Sequence, residues 1–257
     1  MKFSYTDIGK GKTIIFVHSY LWDKEMWQPQ LDFFKNNFRC IAIDLPGHGN
    51  SSFNNISSLN DLAREIKNFI ESLNIDNYIY VGLSVGGMLA PYLYNIDKDK
   101  ISKLIIMDSF SGDEPIEMRQ LYFSMLDTIE KEEKISEELA NKIAPIFFSP
   151  QIDKNSQLYL NFLKKLKGFS KDNLKYIVPF GRIIFGRENS LEFLKNIQVP
   201  TYFITGEFDI PRPFHEAELM SKYVANSKLI KISKAGHISN LENSYETNKI
   251  LFNIFNS

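Results

Sequence analysis

The sequence predicts an α/β fold with a mostly parallel central sheet and helices on both faces. Short apolar runs, each about one strand long, alternate with segments whose apolar residues recur at helical spacing. This alternation is the signal of βαβ units and a parallel sheet. One long helical stretch interrupts it, and no Pro/Gly-rich linker or internal repeat separates independent domains. We therefore expect one compact domain that carries a helical insertion.

The first half of the chain supplies most of the predicted sheet. The predicted strands lie at residues 3–8, 13–17, 39–43, 78–83 and 103–108. The predicted helices between them lie near residues 26–36, 60–73 and 85–95. The first strand is expected at the sheet edge. Gly9-Lys10-Gly11 then turns the chain into the apolar run at 13–17, which is expected to be buried.

Residues 110–190 break this alternation with mostly helical signals. One predicted face groups Leu121, Met125, Leu126 and Ile129, and another groups Leu158, Phe162, Leu163 and Leu166. Alternation then resumes with strands at 201–205 and 228–232, a helix after Pro213 and a last helix at about 241–255. We accordingly assign residues 1–109 and 191–257 to an α/β core and residues 110–190 to an inserted helical cap.

The composition argues against several classes of protein, among them nucleic-acid-binding and membrane-spanning proteins. The 257 residues carry 30 Lys+Arg against 31 Asp+Glu, so no basic surplus is present to neutralise the phosphates of a nucleic acid. The apolar runs are far shorter than a membrane span, and residues 1–7 show no apolar core of a signal peptide. A single cysteine, Cys40, predicts neither an internal disulfide nor a metal site. We expect a cytoplasmic protein without nucleic-acid or membrane partners, and both monomer and homodimer stay open.

The strongest motif is Gly82-Leu83-Ser84-Val85-Gly86, which matches G-x-S-x-G directly after a predicted strand and at the start of a predicted helix. A nucleophile on such a tight strand-to-helix turn needs small neighbours, because its backbone is strained. The turn presents the serine Oγ and a free backbone N–H to the same point. Ser84 is therefore the predicted nucleophile.

A serine nucleophile needs a base, and His237 is the predicted one. It lies in Lys234-Ala235-Gly236-His237-Ile238, between the last predicted strand and the last predicted helix. A side chain on that loop can reach the carboxyl ends of the central strands. The other histidines are interpreted otherwise: His18 and His48 as loop-shaping residues, and His215, beside Arg212 and Glu216, as part of a solvated face.

An acid must orient the imidazole, and two aspartates qualify. Asp209 follows a predicted strand and precedes His237 by 28 residues. Asp108 ends the preceding predicted strand and is the possible alternative acid. We favour Asp209, because the order Ser84, Asp209, His237 is the one expected for this kind of sheet.

Taken together, these motifs resemble those of the α/β-hydrolase fold family over nearly the whole chain apart from the insertion. Residues 18–22 resemble the oxyanion loop of that family, and residues 26–31 resemble the helix that follows this loop. Residues 44–51 are similar to its D-x-x-G-x-G-x-S segment. The segments that contain the predicted acid and base, residues 206–209 and 235–237, also match the family. The resemblance implies an oxyanion hole formed by the backbone N–H groups of Tyr20 and Val85, worth about 3 kcal/mol each. One residue departs from the pattern: Ser19 stands where the family usually has glycine.

We expect a carboxylesterase-like serine hydrolase that cleaves a small, apolar ester through a Ser-His-Asp acyl-enzyme mechanism, with no metal or organic cofactor. Carbon–carbon bond hydrolysis, lactone opening, thioester hydrolysis and acyl transfer by the same triad remain alternatives, as does a slowly turning-over ligand receptor or signalling protein. The predicted cap is not enriched in aromatics, since 11 of its 81 residues match the 14% of the whole chain. Its apolar residues are therefore expected to pack against each other more often than they line a pocket: Phe110, Met118, Tyr122, Met125, Phe147 and Phe148.

Overall fold

The computed structural model describes residues 2–52 and 56–257, so Met1 and residues 53–55 of the predicted core lie outside the described residues. Its centre is a sheet of seven strands: β1 (Tyr5–Ile8), β2 (Thr13–Val17), β3 (Arg39–Ile43), β4 (Tyr78–Leu83), β5 (Ile101–Met107), β6 (Thr201–Gly206) and β7 (Ser227–Ile232). The spatial order is β1-β3-β2-β4-β5-β6-β7. Only β1 pairs antiparallel, at the edge beside β3. The predicted mostly parallel α/β sheet is confirmed.

Ten helices surround the sheet in the described residues. They are α1 (Gln28–Phe34), α2 (Leu59–Ser72), α3 (Val85–Asp97), α4 (Ile116–Glu132), α5 (Glu137–Ile143), α6 (Gln157–Gly168), α7 (Lys171–Phe185), α8 (Phe214–Ser221), α9 (Ser239–Glu242) and α10 (Ser244–Phe255). Short 3₁₀ turns lie at Lys24–Trp27, Ala144–Phe147 and Leu191–Asn196. The predicted last helix is in fact two helices, because Asn243 leaves the helical conformation and caps α10 by accepting from the N–H of Glu246.

Burial explains why these segments take these forms. All residues of β2 and β4 are buried, as expected for central strands covered on both faces. On α2, Leu62, Ile66 and Ile70 lie on the buried face, and the Ser58 hydroxyl caps the first turn. The core therefore lies on both sides of the sheet. None of the helices described has the combination of length and apolar content needed to cross a bilayer.

The helical segment 110–190 lies between β5 and β6 and contributes α4 to α7. A buried cluster of charges attaches it to the rest of the molecule. The guanidinium of Arg212 pairs with Glu114 and, at 3.4 Å, with Glu216, while Arg187 binds Glu114 at 2.7 Å. The prediction of a solvated face around His215 was wrong for Arg212 and Glu216, because both are buried. His215, which lies between them in the sequence, is exposed. The partners that desolvate them come from the helical segment, far away in sequence.

Candidate active site

Ser84 occupies a strained turn at the carboxyl end of β4. Its φ of 55° lies in the left-handed region, and it is the residue immediately before α3. Two glycines make that turn sterically possible. A Cβ on Gly82 would lie 2.2 Å from the carbonyl oxygen of Gly86, and a Cβ on Gly86 would lie 2.3 Å from that of Val17. The structure thus has the backbone geometry of a nucleophile elbow at the predicted position.

The side chains of Ser84, His237 and Asp209 form a continuous hydrogen-bonded line. Nε2 of His237 lies 3.0 Å from the Oγ of Ser84. Nδ1 of the same ring lies 3.1 and 3.0 Å from the two carboxylate oxygens of Asp209. With Nδ1 protonated and donating to Asp209, Nε2 is left to accept the proton of the serine hydroxyl. All three side chains are buried, so these contacts form with little competition from water.

Asp108, the alternative acid, faces other partners. One carboxylate oxygen accepts from the N–H of Gly206 at 2.7 Å, and the other contacts the hydroxyl of Ser239 at 2.5 Å. Burial, and then the negative charge of Asp209, raise the pKa of Asp108 well above its ordinary value. Asp209 is itself held by the backbone N–H of Arg212, which donates to it at 3.0 Å. The geometry places Asp209, and not Asp108, on the imidazole.

Tyr20 and Val85 bring two backbone N–H groups to the same end of the sheet. Val85 is the first residue of α3, where helical N–H groups have no intrahelical acceptor, and Tyr20 lies three residues beyond β2. Within the described part of the chain, neither N–H donates to a protein acceptor. Both groups are therefore free to donate to a substrate oxygen.

Two buried histidines support the loop that carries Tyr20. Nε2 of His18 accepts from the N–H of Leu45 at 2.8 Å, and its Nδ1 contacts the carbonyl of Ser19 at 2.7 Å. Nε2 of His48 accepts from the N–H of Leu21 at 3.1 Å. Burial lowers the pKa of His18 to about 4 and that of His48 to about 3, so both rings are neutral near pH 7. This agrees with the loop-shaping interpretation.

Ser19, the departure from the family pattern, fits the loop without a glycine conformation. It is not among the residues with positive φ, whereas Leu21 takes φ 65° two residues later. The side chain is completely buried, and its Oγ has no hydrogen-bond partner among the described residues. The backbone of the loop therefore accommodates the extra atoms, with an unsatisfied hydroxyl as the energetic cost.

A further carboxylate, Glu242, supports the loop that carries His237 and was not predicted. It accepts from the N–H of Gly236 at 2.8 Å and from that of Ser149 at 2.9 Å. Burial outweighs these hydrogen bonds and raises the pKa of Glu242 to about 7. Ser149 lies 93 residues away in the chain, so no local pattern could have revealed the pair.

A largely apolar cavity opens at Ser84, with an empty volume of about 690 Å³ that includes its mouth. The helical segment contributes these lining residues: Tyr122, Met125, Leu126, Ile129, Ile143, Ile146, Phe147, Ile184 and Phe185. Of the six apolar residues of this segment that we expected to pack against each other, three line the cavity instead. Tyr122, Met125 and Phe147 line the cavity, whereas Phe110, Met118 and Phe148 do not. A mostly apolar lining with a few polar groups is typical of small-molecule sites.

The known proteins that this chain resembles agree with one another in fold. A family model described as the alpha/beta hydrolase fold matches residues 12–244. A pimeloyl-[acyl-carrier protein] methyl ester esterase of Legionella pneumophila is 25% identical, over 90% of this chain and 89% of that protein. The 3-oxoadipate enol-lactonase 1 of Acinetobacter baylyi is 24% identical, over 89% of this chain and 83% of its own length. A thermophilic esterase from Thermogutta terrifontis superposes with a TM-score of 0.89 at 20% identity, over 99% and 93% of the two chains.

Proposed function

The chain belongs to the α/β-hydrolase fold family, and on that premise we propose that it is a serine hydrolase that cleaves small carboxylic esters with apolar acyl groups. One observation carries this proposal. The Ser84 hydroxyl, at the floor of an apolar cavity, lies 3.0 Å from an imidazole nitrogen whose ring is held by Asp209. A hydroxyl becomes a nucleophile only when such a base can remove its proton.

The proposed reaction has two steps. In the first, Oγ of Ser84 attacks the ester carbonyl while Nε2 of His237 takes the hydroxyl proton and then passes it to the leaving alcohol. In the second, His237 removes a proton from the water that attacks the acyl carbonyl, and it returns that proton to Oγ of Ser84 as the acyl–Oγ bond breaks and the acid leaves. Asp209 keeps the ring in the required tautomer, and its negative charge stabilises the imidazolium that forms in each step.

The negative oxygen of each tetrahedral intermediate is stabilised by the N–H groups of Tyr20 and Val85. Both amides are free of protein acceptors in the described chain, which supports this assignment. Hydrogen bonds from fixed backbone dipoles strengthen as charge develops on the oxygen, and they need no reorganisation. The role requires no side chain at either position, so the presence of tyrosine and valine there is compatible with it.

We further propose that residues 110–190 act as a cap over this site. Helices α4, α5 and α7 supply most of the apolar cavity lining, and the cluster around Glu114 joins this segment to the loop that carries Asp209. A cytoplasmic location stays part of the proposal, since a chain with a single cysteine cannot form an internal disulfide and suits a reducing compartment. A second candidate reaction is lactone opening, because a curated relative bears that name.

Hydrolysis of p-nitrophenyl esters of two, four and eight carbons tests the proposal. We expect turnover by the wild type and loss of about 10⁴-fold or more in Ser84→Ala, because the nucleophile is removed. The chain-length dependence measures the depth of the cavity. Turnover that survives in Ser84→Ala would contradict the mechanism. Labelling of Ser84 by a fluorophosphonate without ester turnover would favour the acyltransferase or receptor alternatives instead.

A further inference from the structure

Tyr122 is a polar side chain of the cavity above Ser84 whose hydrogen-bonding capacity is unused among the described residues. Among the other polar lining residues, Ser84 and His237 are engaged with each other, and the hydroxyl of Tyr20 donates to the carbonyl of Ile177 at 2.8 Å. The hydroxyl of Tyr122 makes no hydrogen bond to the described residues, and it is not among the fully buried atoms that lack a partner. It is therefore open to the cavity.

The ring of Tyr122 is fixed in place. It stacks on Phe185, with ring centroids 4.3 Å apart and planes inclined by 28°. Only 6% of the residue is exposed, so its rotamer is restricted by packing. Burial raises the pKa of Tyr122 to about 12, and the phenol stays protonated at neutral pH. The cavity thus offers a rigid, neutral O–H donor and otherwise mostly apolar surface.

Arg212 also lines the cavity, but its charge is already compensated. Glu114 binds one end of its guanidinium with both carboxylate oxygens, and Glu216 faces the other end. Arg187 shares Glu114, so this buried cluster holds two positive and two negative side chains. A substrate carboxylate entering the cavity would find no surplus positive charge there and would lie close to buried glutamates. Burying such a charge without a partner is strongly unfavourable.

We propose that the acyl site selects uncharged acyl chains that carry a carbonyl acceptor for the Tyr122 hydroxyl and rejects chains that end in a carboxylate. This selectivity rests on the proposed ester hydrolysis. The acyl group is the part assigned to the apolar cavity, because it stays bound to Ser84 while the alcohol leaves and water enters. A keto group or a remote ester carbonyl along the chain satisfies the donor.

Two matched substrate sets test the inference on the full-length protein. The first compares p-nitrophenyl 4-oxopentanoate, 5-oxohexanoate and 6-oxoheptanoate with the corresponding unsubstituted esters. We expect at least one oxo ester to have the higher kcat/KM, and we expect the oxo-to-plain ratio to fall about 5- to 10-fold in Tyr122→Phe, the value of one hydrogen bond. Tyr245→Phe, at a tyrosine that is 81% exposed, is the control and should keep the wild-type ratio.

The second set compares mono-p-nitrophenyl adipate with its methyl ester. We expect the charged substrate to have a kcat/KM lower by about 100-fold, because its carboxylate would be desolvated without a cation. An oxo-to-plain ratio that is unchanged in Tyr122→Phe, or equal turnover of the charged and neutral adipates, would overturn the inference. Either result, combined with loss of all turnover in Ser84→Ala, would leave the proposed hydrolase function intact.

Discussion

The carboxylate of Glu242 accepts a 2.8 Å hydrogen bond from the backbone N–H of Gly236, the residue immediately before His237. The same carboxylate accepts from Ser149, which belongs to the helical segment 110–190. A second contact reinforces this one, since the N–H of Ile238 donates to the carbonyl of Phe147 at 3.1 Å. The backbone on both sides of the imidazole is therefore attached to the helical segment, and displacement of that segment would also disturb the proposed base.

Glu242 should make stability fall as the pH rises from about 5 to 7. Its pKa is raised from the ordinary 4.5 to about 7, so between these values the folded state binds a proton that the unfolded state has released. The stability that this proton contributes is complete below pH 4.5 and is lost as the pH rises through 7. Glu242→Gln cannot titrate and should lack this component.

Thermal unfolding at pH 5 and pH 7 measures the effect. We expect the loss of Tm between these two pH values to be smaller in Glu242→Gln than in the wild type. Glu218→Gln, at an exposed glutamate of α8, should behave as the wild type does. An identical pH dependence in the wild type and Glu242→Gln would show that the residue does not titrate in this range.

Asp209→Asn and Asp108→Asn should have very different kinetic effects. We expect Asp209→Asn to lower kcat by about 10³- to 10⁴-fold, because the amide favours the wrong imidazole tautomer. Burial and the charge of Asp209 raise the pKa of Asp108, so the loss of its charge in asparagine costs little, and the amide can accept from Gly206 and donate to Ser239. We expect its kcat to fall by less than about 10-fold.

Initial rates with p-nitrophenyl butyrate, measured beside the Tm of each variant, make this comparison. A larger loss of kcat in Asp108→Asn, at an unchanged Tm, would reassign the acid.

The fold and the meeting of Ser84, Asp209 and His237 could be predicted because their signals are local. Strand–helix alternation and the turn around Ser84 each extend over a few residues, and the parallel sheet brings the loops after β6 and β7 to the same edge. Glu242 could not be found in this way, because it is an acidic residue in a short helix until Ser149 is placed beside it.

The lining of the cavity was predictable only in part. Helical periodicity identifies which face of α4 is apolar, but it does not say whether that face meets another helix or an empty space. Met125 lines the cavity, whereas Phe148 packs against Trp22 and Phe162. The burial of Arg212 has the same origin, since its partner Glu114 lies 98 residues away.

Glu114→Gln should destabilise the protein strongly, because Glu114 pairs with two buried arginines, Arg187 and Arg212. Removing its charge leaves both guanidinium groups without their shared partner, a change that costs about 3–5 kcal/mol of unfolding free energy. The control is Glu130→Gln. Glu130 pairs with Arg182 but is 63% exposed, and exposed pairs contribute less than about 1 kcal/mol.

Urea-induced unfolding of the two variants and the wild type gives the free energies directly. Equal stability of Glu114→Gln and Glu130→Gln would mean that the buried cluster contributes no more than a surface ion pair. We also expect kcat to fall in Glu114→Gln, since the N–H of Arg212 holds Asp209.

Gly86→Ala should disrupt the turn around Ser84, whereas Gly168→Ala should be tolerated. The new Cβ at Gly86 would lie 2.3 Å from the carbonyl oxygen of Val17, and backbone on both sides must move to relieve that overlap. We expect a loss of at least about 2 kcal/mol in stability, and a larger fractional loss of kcat because Oγ shifts with the turn.

At Gly168, the exposed last residue of α6, a Cβ meets no atom within 4 Å. Alanine there should change stability by no more than about 1 kcal/mol, in the favourable direction, because the unfolded chain loses conformational freedom. Unfolding midpoints and butyrate ester rates of both variants test the argument, and normal activity in Gly86→Ala would refute the steric requirement at this turn.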